Sequence, residues 1–153
     1  LIANTNTAIP GGVGNFTNFL NGVSTSGGMV VFGATGAASQ VGLYTDAGGT
    51  LALVADTHTA LPGGSGNFRG FGFLPGISGE RVAFIGFDAA LQPGIYTDAG
   101  GALALIADTH TAIPGGTGNF AGFVGEQRQT CLGFNATGGV NLRVNFILYP
   151  VED

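Results

Sequence analysis

The chain has 153 residues, enough for one domain with a sizeable core, yet only 8% are charged against about 25% in an ordinary soluble domain. Its net charge is −5 and its four basic residues are all Arg, so no basic patch exists to neutralise phosphates; this argues against nucleic acid and excludes anionic membranes as partners. No apolar run reaches the ~18 residues of a membrane span, and the single Cys131 leaves neither an intrachain disulfide nor a cysteine metal cluster.

In chain order, Leu1 matches Leu53 and Leu105, so the sequence is expected to begin part-way into a repeat, as a mature, trimmed or excised piece of a longer tandem protein. The segment Asn4 to Phe16 recurs as Asp56 to Phe68 and again as Asp108 to Phe120, 52 residues apart each time. A period in that range signals a propeller, prism, trefoil or array. The copies cover approximately 1–50, 51–102 and 103–153 of a single repeat domain.

The second copy is the cleanest. Leu51 to Ala55 is predicted as a short apolar strand. Thr57 to Gly66 is a loop, with Pro62 fixing φ and Gly63, Gly64 and Gly66 allowing φ > 0. Phe68 to Phe73 alternates aromatics with Gly and Arg, and Leu74 to Gly79 turns the chain. Val82 to Phe87 is a continuous apolar run, predicting a strand sandwiched between two other layers, and Met29 to Phe32 reads the same way. Gly94 to Thr97 is a further strand, Asp98 to Gly101 a hairpin turn, and Leu103 to Ile106 opens the next copy. That makes four strands per repeat and no helical periodicity.

The element order resembles the TolB-type propeller blade: Pro75-Gly76-Ile77-Ser78-Gly79, Val82-Ala83-Phe84, Gly94-Ile95-Tyr96, then Leu103 to Ile106. The loop wording is similar to tandem repeats of secreted bacterial proteins that carry C-terminal sorting tails. The resemblance implies propeller-type blades and an extracellular or cell-surface location, and it implies no particular activity. The third copy departs from the pattern after Phe123. Cys131 to Ala136 realigns with Phe84 to Ala89, which makes Cys131 a buried apolar position, and Asn141 to Tyr149 alternates like a strand wetted on one face. Glu126, Arg128, Arg143 and Glu152 concentrate charge there, ahead of Asp153, as suits a divergent capping repeat.

On this register the chain is one fourth strand, two full blades and three further strands, and a ring propeller needs four to eight blades. Open apolar blade faces on the order of 500 Å² each would gain roughly 12 kcal/mol on burial at about 25 cal/mol/Å². The expected outcomes are a ring of two chains, an open filament by strand donation, or a threefold β-prism or β-trefoil monomer.

Asp56, His58 and Asn67, with Asp108, His110 and Asn119, are the candidate ligand-binding residues, two sets at one spacing. Against a ligand role, Asp at a strand end closes an Asx turn, and the first copy has Asn4 and Asn6, which make the same turn bond without a catalytic base. No nucleophile accompanies them, so no catalytic residue, metal site or cofactor is expected. The Gly-rich loop lacks the following helix of a phosphate cradle, and Phe16, Phe68 and Phe120 read as core anchors. Tyr44 and Tyr96 suit core or groove packing, Asp46 and Asp98 suit hairpin turns, and the sequons at Asn15 and Asn135 are chance-level. Two functions fit: a non-enzymatic extracellular repeat module that assembles with itself, or a lectin-like carbohydrate-binding module with repeated loop sites.

Overall fold

The computed structural model describes residues 1–125, except 48, 99 and 100, together with 146–148. Cys131, the sequon at Asn135, the charges at Glu126, Arg128, Arg143, Glu152 and Asp153, and the expected last strand outside 146–148 lie beyond the described residues.

The protein is all-β. One sheet is an antiparallel meander of β1 (Phe16–Ser26), β2 (Met29–Gly36), β3 (Val41–Thr45) and β4 (Ala52–Asp56), in that order. The second contains β5 (Gly70–Phe71), β6 (Gly76–Ser78), β7 (Arg81–Phe87), β8 (Pro93–Thr97) and β9 (Ala104–Asp108). Both β5 and β6 pair with one edge of β7, and β8 and β9 follow on the other side. A short pair joins β10 (Phe123–Gly125) to β11 (Phe146–Leu148). The described sheets do not close into a barrel or ring. No helix of the described residues is long and apolar enough to cross a membrane.

The sequence repeat is a repeat of hydrogen bonds. Phe32 faces Tyr44 across β2 and β3, as Phe84 faces Tyr96 across β7 and β8. The last strand of each sheet shifts register at the same place, after Leu43 and after Ile95. The Gly-rich loop is closed by Ile9 N–H to Gly14 O at 3.0 Å, Leu61 N–H to Gly66 O at 2.9 Å and Ile113 N–H to Gly118 O at 3.0 Å. Gly14, Gly66 and Gly118 have φ of +77°, +80° and +80°, a conformation a side chain would strain.

Most expected strands form within a residue or two of their predicted ends, but the first strand of copy two does not. It was expected from Phe68 to Phe73 with a turn over Leu74 to Gly79, but it is broken into β5 and β6, and the reversal falls at Gly79 and Glu80. Pro75 has no N–H to give the ladder, so pairing with β7 lapses after the Gly72 N–H to Ile85 O bond and resumes at Gly76. In copy one the same strand runs through, with a register shift between Phe19 and Val23. Leu1 to Ala3, expected as a fourth strand, lie outside any strand, because no third strand among the described residues lies alongside to pair with them.

The core is layered. Val31, Leu43 and Ala55 of the first sheet pack against Leu61, Phe68, Phe84 and Tyr96 of the second copy. On the far side of the second sheet, Ile95 and Ala107 pack against Phe120, Phe123 and Ile113 of the third copy. These are one interface made twice, since Leu43, Ala55, Leu61 and Phe68 precede Ile95, Ala107, Ile113 and Phe120 by 52 residues. Hence β7 is covered on both faces: Val82 and Phe84 are buried toward the first sheet, and Ile85 packs toward the third copy.

The two sheets meet as a wedge. Along their first strands they touch closely: Ser24 Oγ donates to the Pro75 carbonyl, and a Cβ at Gly22 would overlap the Phe73 carbonyl oxygen. Toward β4 they part, leaving a cleft of about 730 Å³ between Thr45, Ala52 and Val54 on one side and Ser78, Arg81 and Leu103 on the other.

Candidate functional site

The residues singled out by their spacing sit in one recurring turn. Asp56 Oδ1 accepts the His58 N–H at 2.9 Å and the Thr59 hydroxyl at 2.8 Å, while Thr59 Oγ1 accepts the Asp56 N–H at 2.9 Å. Asp108, His110 and Thr111 repeat this with the same three distances. In the first copy Asn4 Oδ1 accepts the Asn6 N–H at 2.9 Å and the Thr7 hydroxyl at 3.2 Å. The turn therefore needs a side-chain carbonyl-type oxygen and not a charge.

His58 and His110 point to solvent, with Nδ1 3.5 and 3.6 Å from Oδ2 of Asp56 and Asp108. Asn67 and Asn119 are exposed and bridge back to Ala60 and Ala112, closing the Gly-rich loops. Burial acts to raise both Asp carboxyls. It is outweighed by hydrogen bonds, from Thr59, Gln40 and His58 at Asp56 and from Thr111 and His110 at Asp108, and both are held below the usual carboxylate range. Asp46 and Asp98 accept the Val30 and Val82 N–H groups, tying each β-hairpin to its neighbouring strand.

The turns border two equivalent positions that differ in content. In copy one Gln40 is 4% exposed; its Nε2 donates to Asp56 Oδ2 at 2.7 Å, and its carboxamide lies where a Cβ on Gly12 would be. In copy two the same position is a cleft of about 410 Å³. Its walls are the loop from Leu61 to Ser65, the loop from Asp88 to Pro93, and the turn carrying Asp108 and His110. Gln92, the counterpart of Gln40, is exposed. Asp88 stands where copy one has Gly36, and its Oδ1 accepts the N–H groups of Ala90 at 2.9 Å and Gln92 at 2.7 Å. Between them Leu91 is held at φ +61°, an uncommon conformation for a bulky side chain.

Tyr44 and Tyr96 lie beneath these two positions. Burial and the nearby Asp56 push the Tyr44 hydroxyl up to about 12, and burial with Asp108 and Asp88 does the same for Tyr96. The cleft thus brings Asp108 and His110 together with Asp88, Gln92 and Tyr96, whereas Asp56, His58, Asn67 and Asn119 do not line it. Sequence reasoning passed over Asp88 and Gln92; the available signal was that this loop changes between copies, with Asp88, Leu91 and Pro93 in place of Gly36, Ser39 and Val41. Among the described residues no three His, Cys, Asp or Glu side chains gather into a metal-binding group.

Two stacked antiparallel meanders cut from one repeat define an all-β repeat protein. The chain belongs to a family described as Family of unknown function (DUF7453), whose pattern matches residues 1–146. No curated protein and no solved structure matches it.

Proposed function

We propose that the chain is a non-enzymatic, extracellular or cell-surface repeat module of propeller-type blades, whose role is assembly with further copies of itself. One observation carries this reading: the first sheet presents half of an interface. Ile9, Phe16, Phe32 and Tyr44 form the same wall as Leu61, Phe68, Phe84 and Tyr96. The second wall is covered by Leu43 and Ala55 of the preceding sheet, but the first has only Ala3 in the place of Ala55.

Around that gap Ile2 is 41% exposed, Phe19 and Leu20 are 37% exposed and Val23 is 58% exposed, and they line an apolar groove of about 390 Å³. A contiguous apolar surface of this kind marks an interaction site more often than a free face. The wedge between the sheets, narrow at their first strands, supports a blade-like arrangement about an axis. Few charges and many Thr, Asn and Gly suit an extracellular surface. The non-enzymatic part is supported by the Asp turns, in which Asn4 serves as well as Asp56.

Sedimentation velocity across a wide concentration range, with negative-stain microscopy, tests the reading. Concentration-dependent rings or filaments are expected. A compact, monodisperse monomer at every concentration overturns it.

A further inference from the structure

We propose that the copy-two cleft between the Leu61–Ser65 and Asp88–Pro93 loops binds a neutral, hydroxyl-rich ligand of the saccharide class. The inference is independent of the assembly reading and rests on the contrast between two copies of one position.

In copy one the protein fills that position with its own group. The group is an uncharged carboxamide, and its N–H donates to the outer oxygen of the turn carboxylate, Asp56 Oδ2. In copy two the turn carboxylate is Asp108, and the Gln92 amide makes no bond to it. Asp88 has replaced a glycine whose Cβ would have met Ile9 Cδ1, and it pins the loop through its own backbone N–H groups. The Gln92 carboxamide no longer lies against the Gly-rich loop, since a Cβ on Gly64 would meet only Leu61, at 3.5 Å. The space taken by a donor in one copy is open in the other.

A tyrosine also lines the open position. Tyr96 is 3% exposed and lines the cleft, with its hydroxyl close to the Gly94 backbone and within electrostatic reach of Asp108 and Asp88. Among the described residues nothing hydrogen-bonds that hydroxyl. A tyrosine hydroxyl, two carboxylates and an exposed carboxamide therefore converge on one cleft.

The chemistry selects the ligand. Two carboxylates repel anions and accept O–H groups in bonds stronger than neutral pairs. The tyrosine hydroxyl and Gln92 add groups that both donate and accept. Leu61, Pro62 and Pro93 supply apolar wall for C–H faces. The volume lies within the roughly 300–1,000 Å³ of small-molecule sites.

Saturation-transfer NMR on the full chain with millimolar methyl glycosides of glucose, galactose, mannose and N-acetylglucosamine tests the site. Asp108→Asn keeps the turn, as Asn4 does, but removes the charge. Gly64→Phe fills the cleft from a position with room for a side chain. Signal is expected from at least one glycoside, weakened about tenfold by Asp108→Asn and abolished by Gly64→Phe, with both variants melting as wild type. Should Gly64→Phe fail to fold, Asp108→Asn decides. No transfer from any glycoside overturns the proposal, as does binding unchanged in Asp108→Asn or in a folded Gly64→Phe. Calcium binding without glycoside, read by isothermal titration, also overturns it.

Discussion

Asn4, Asp56 and Asp108 close one turn with the same atoms, so their replacements sort by oxygen rather than by charge. Asp56→Ala removes the acceptor for His58 and Thr59 and leaves the buried Gln40 amide without a partner. We expect a loss of about 2–3 kcal/mol in urea unfolding, against under about 1 kcal/mol for Asp56→Asn. Acid should act through the same group. Its folded-state pKa lies below the unfolded value, so its stabilisation is fully present above the ordinary Asp range of about 4 and disappears as pH falls through the lowered value. Unfolding curves between neutral and strongly acid pH should show that decline, and Asp56→Asn should flatten it. Gly86 is constrained differently. A Cβ there would lie 2.4 Å from Phe68 Cε1 and 2.7 Å from Cδ1. Gly86→Ala is expected to cost about 1–3 kcal/mol by overpacking, measured as a lowered denaturation midpoint.

Each meander is held by short-range pairing, and the Gly-rich loop between meanders lays the next Phe anchor under the next sheet. Much of this was legible beforehand. The Asp-Ala-Gly-Gly hairpins, the strand at Val82 to Phe87 and the Phe anchors follow from turn chemistry and apolar runs spanning a few residues. The break of the first strand in copy two was less legible. Pro75 marks it, but the return of pairing at Gly76 depends on β7 lying alongside. That segment also carries the inter-sheet hydrogen bond. Ser24→Ala leaves the buried Pro75 carbonyl unpaired, and a loss of about 1–2 kcal/mol is expected in equilibrium unfolding. Ser24→Thr, which retains the donor, gives the contrasting measurement.

The stack of sheets uses one interface repeatedly, and such head-to-tail contacts close into rings or run on as filaments. Among the described residues, the wall of Ile9, Phe16, Phe32 and Tyr44 has Ala3 in the place of Ala55 and no counterpart of Leu43. If association proceeds there, Val23→Glu or Leu20→Glu places a charge in the apolar groove and should shift the chain to monomers at concentrations where the wild type assembles. Sedimentation reads this directly, and circular dichroism checks that the sheets persist. Assembly unchanged in both variants would move the contact elsewhere.

The amino-acid order alone was enough for the all-β class, the 52-residue period, the strands and the recurring Asx turn. Those features arise from interactions spanning a few residues: alternation along a strand, φ > 0 at glycine, and an oxygen reaching an N–H two residues on. Folding in three dimensions decided that identical residues do unlike work. Gln40 is buried on Asp56 while Gln92 is exposed at the mouth of a cleft, and Phe16 and Phe68 anchor one wall left open and one covered. These outcomes depend on which loop and which sheet lie opposite, set by groups distant in the chain, and a repeated sentence of residues carries no information about its neighbours.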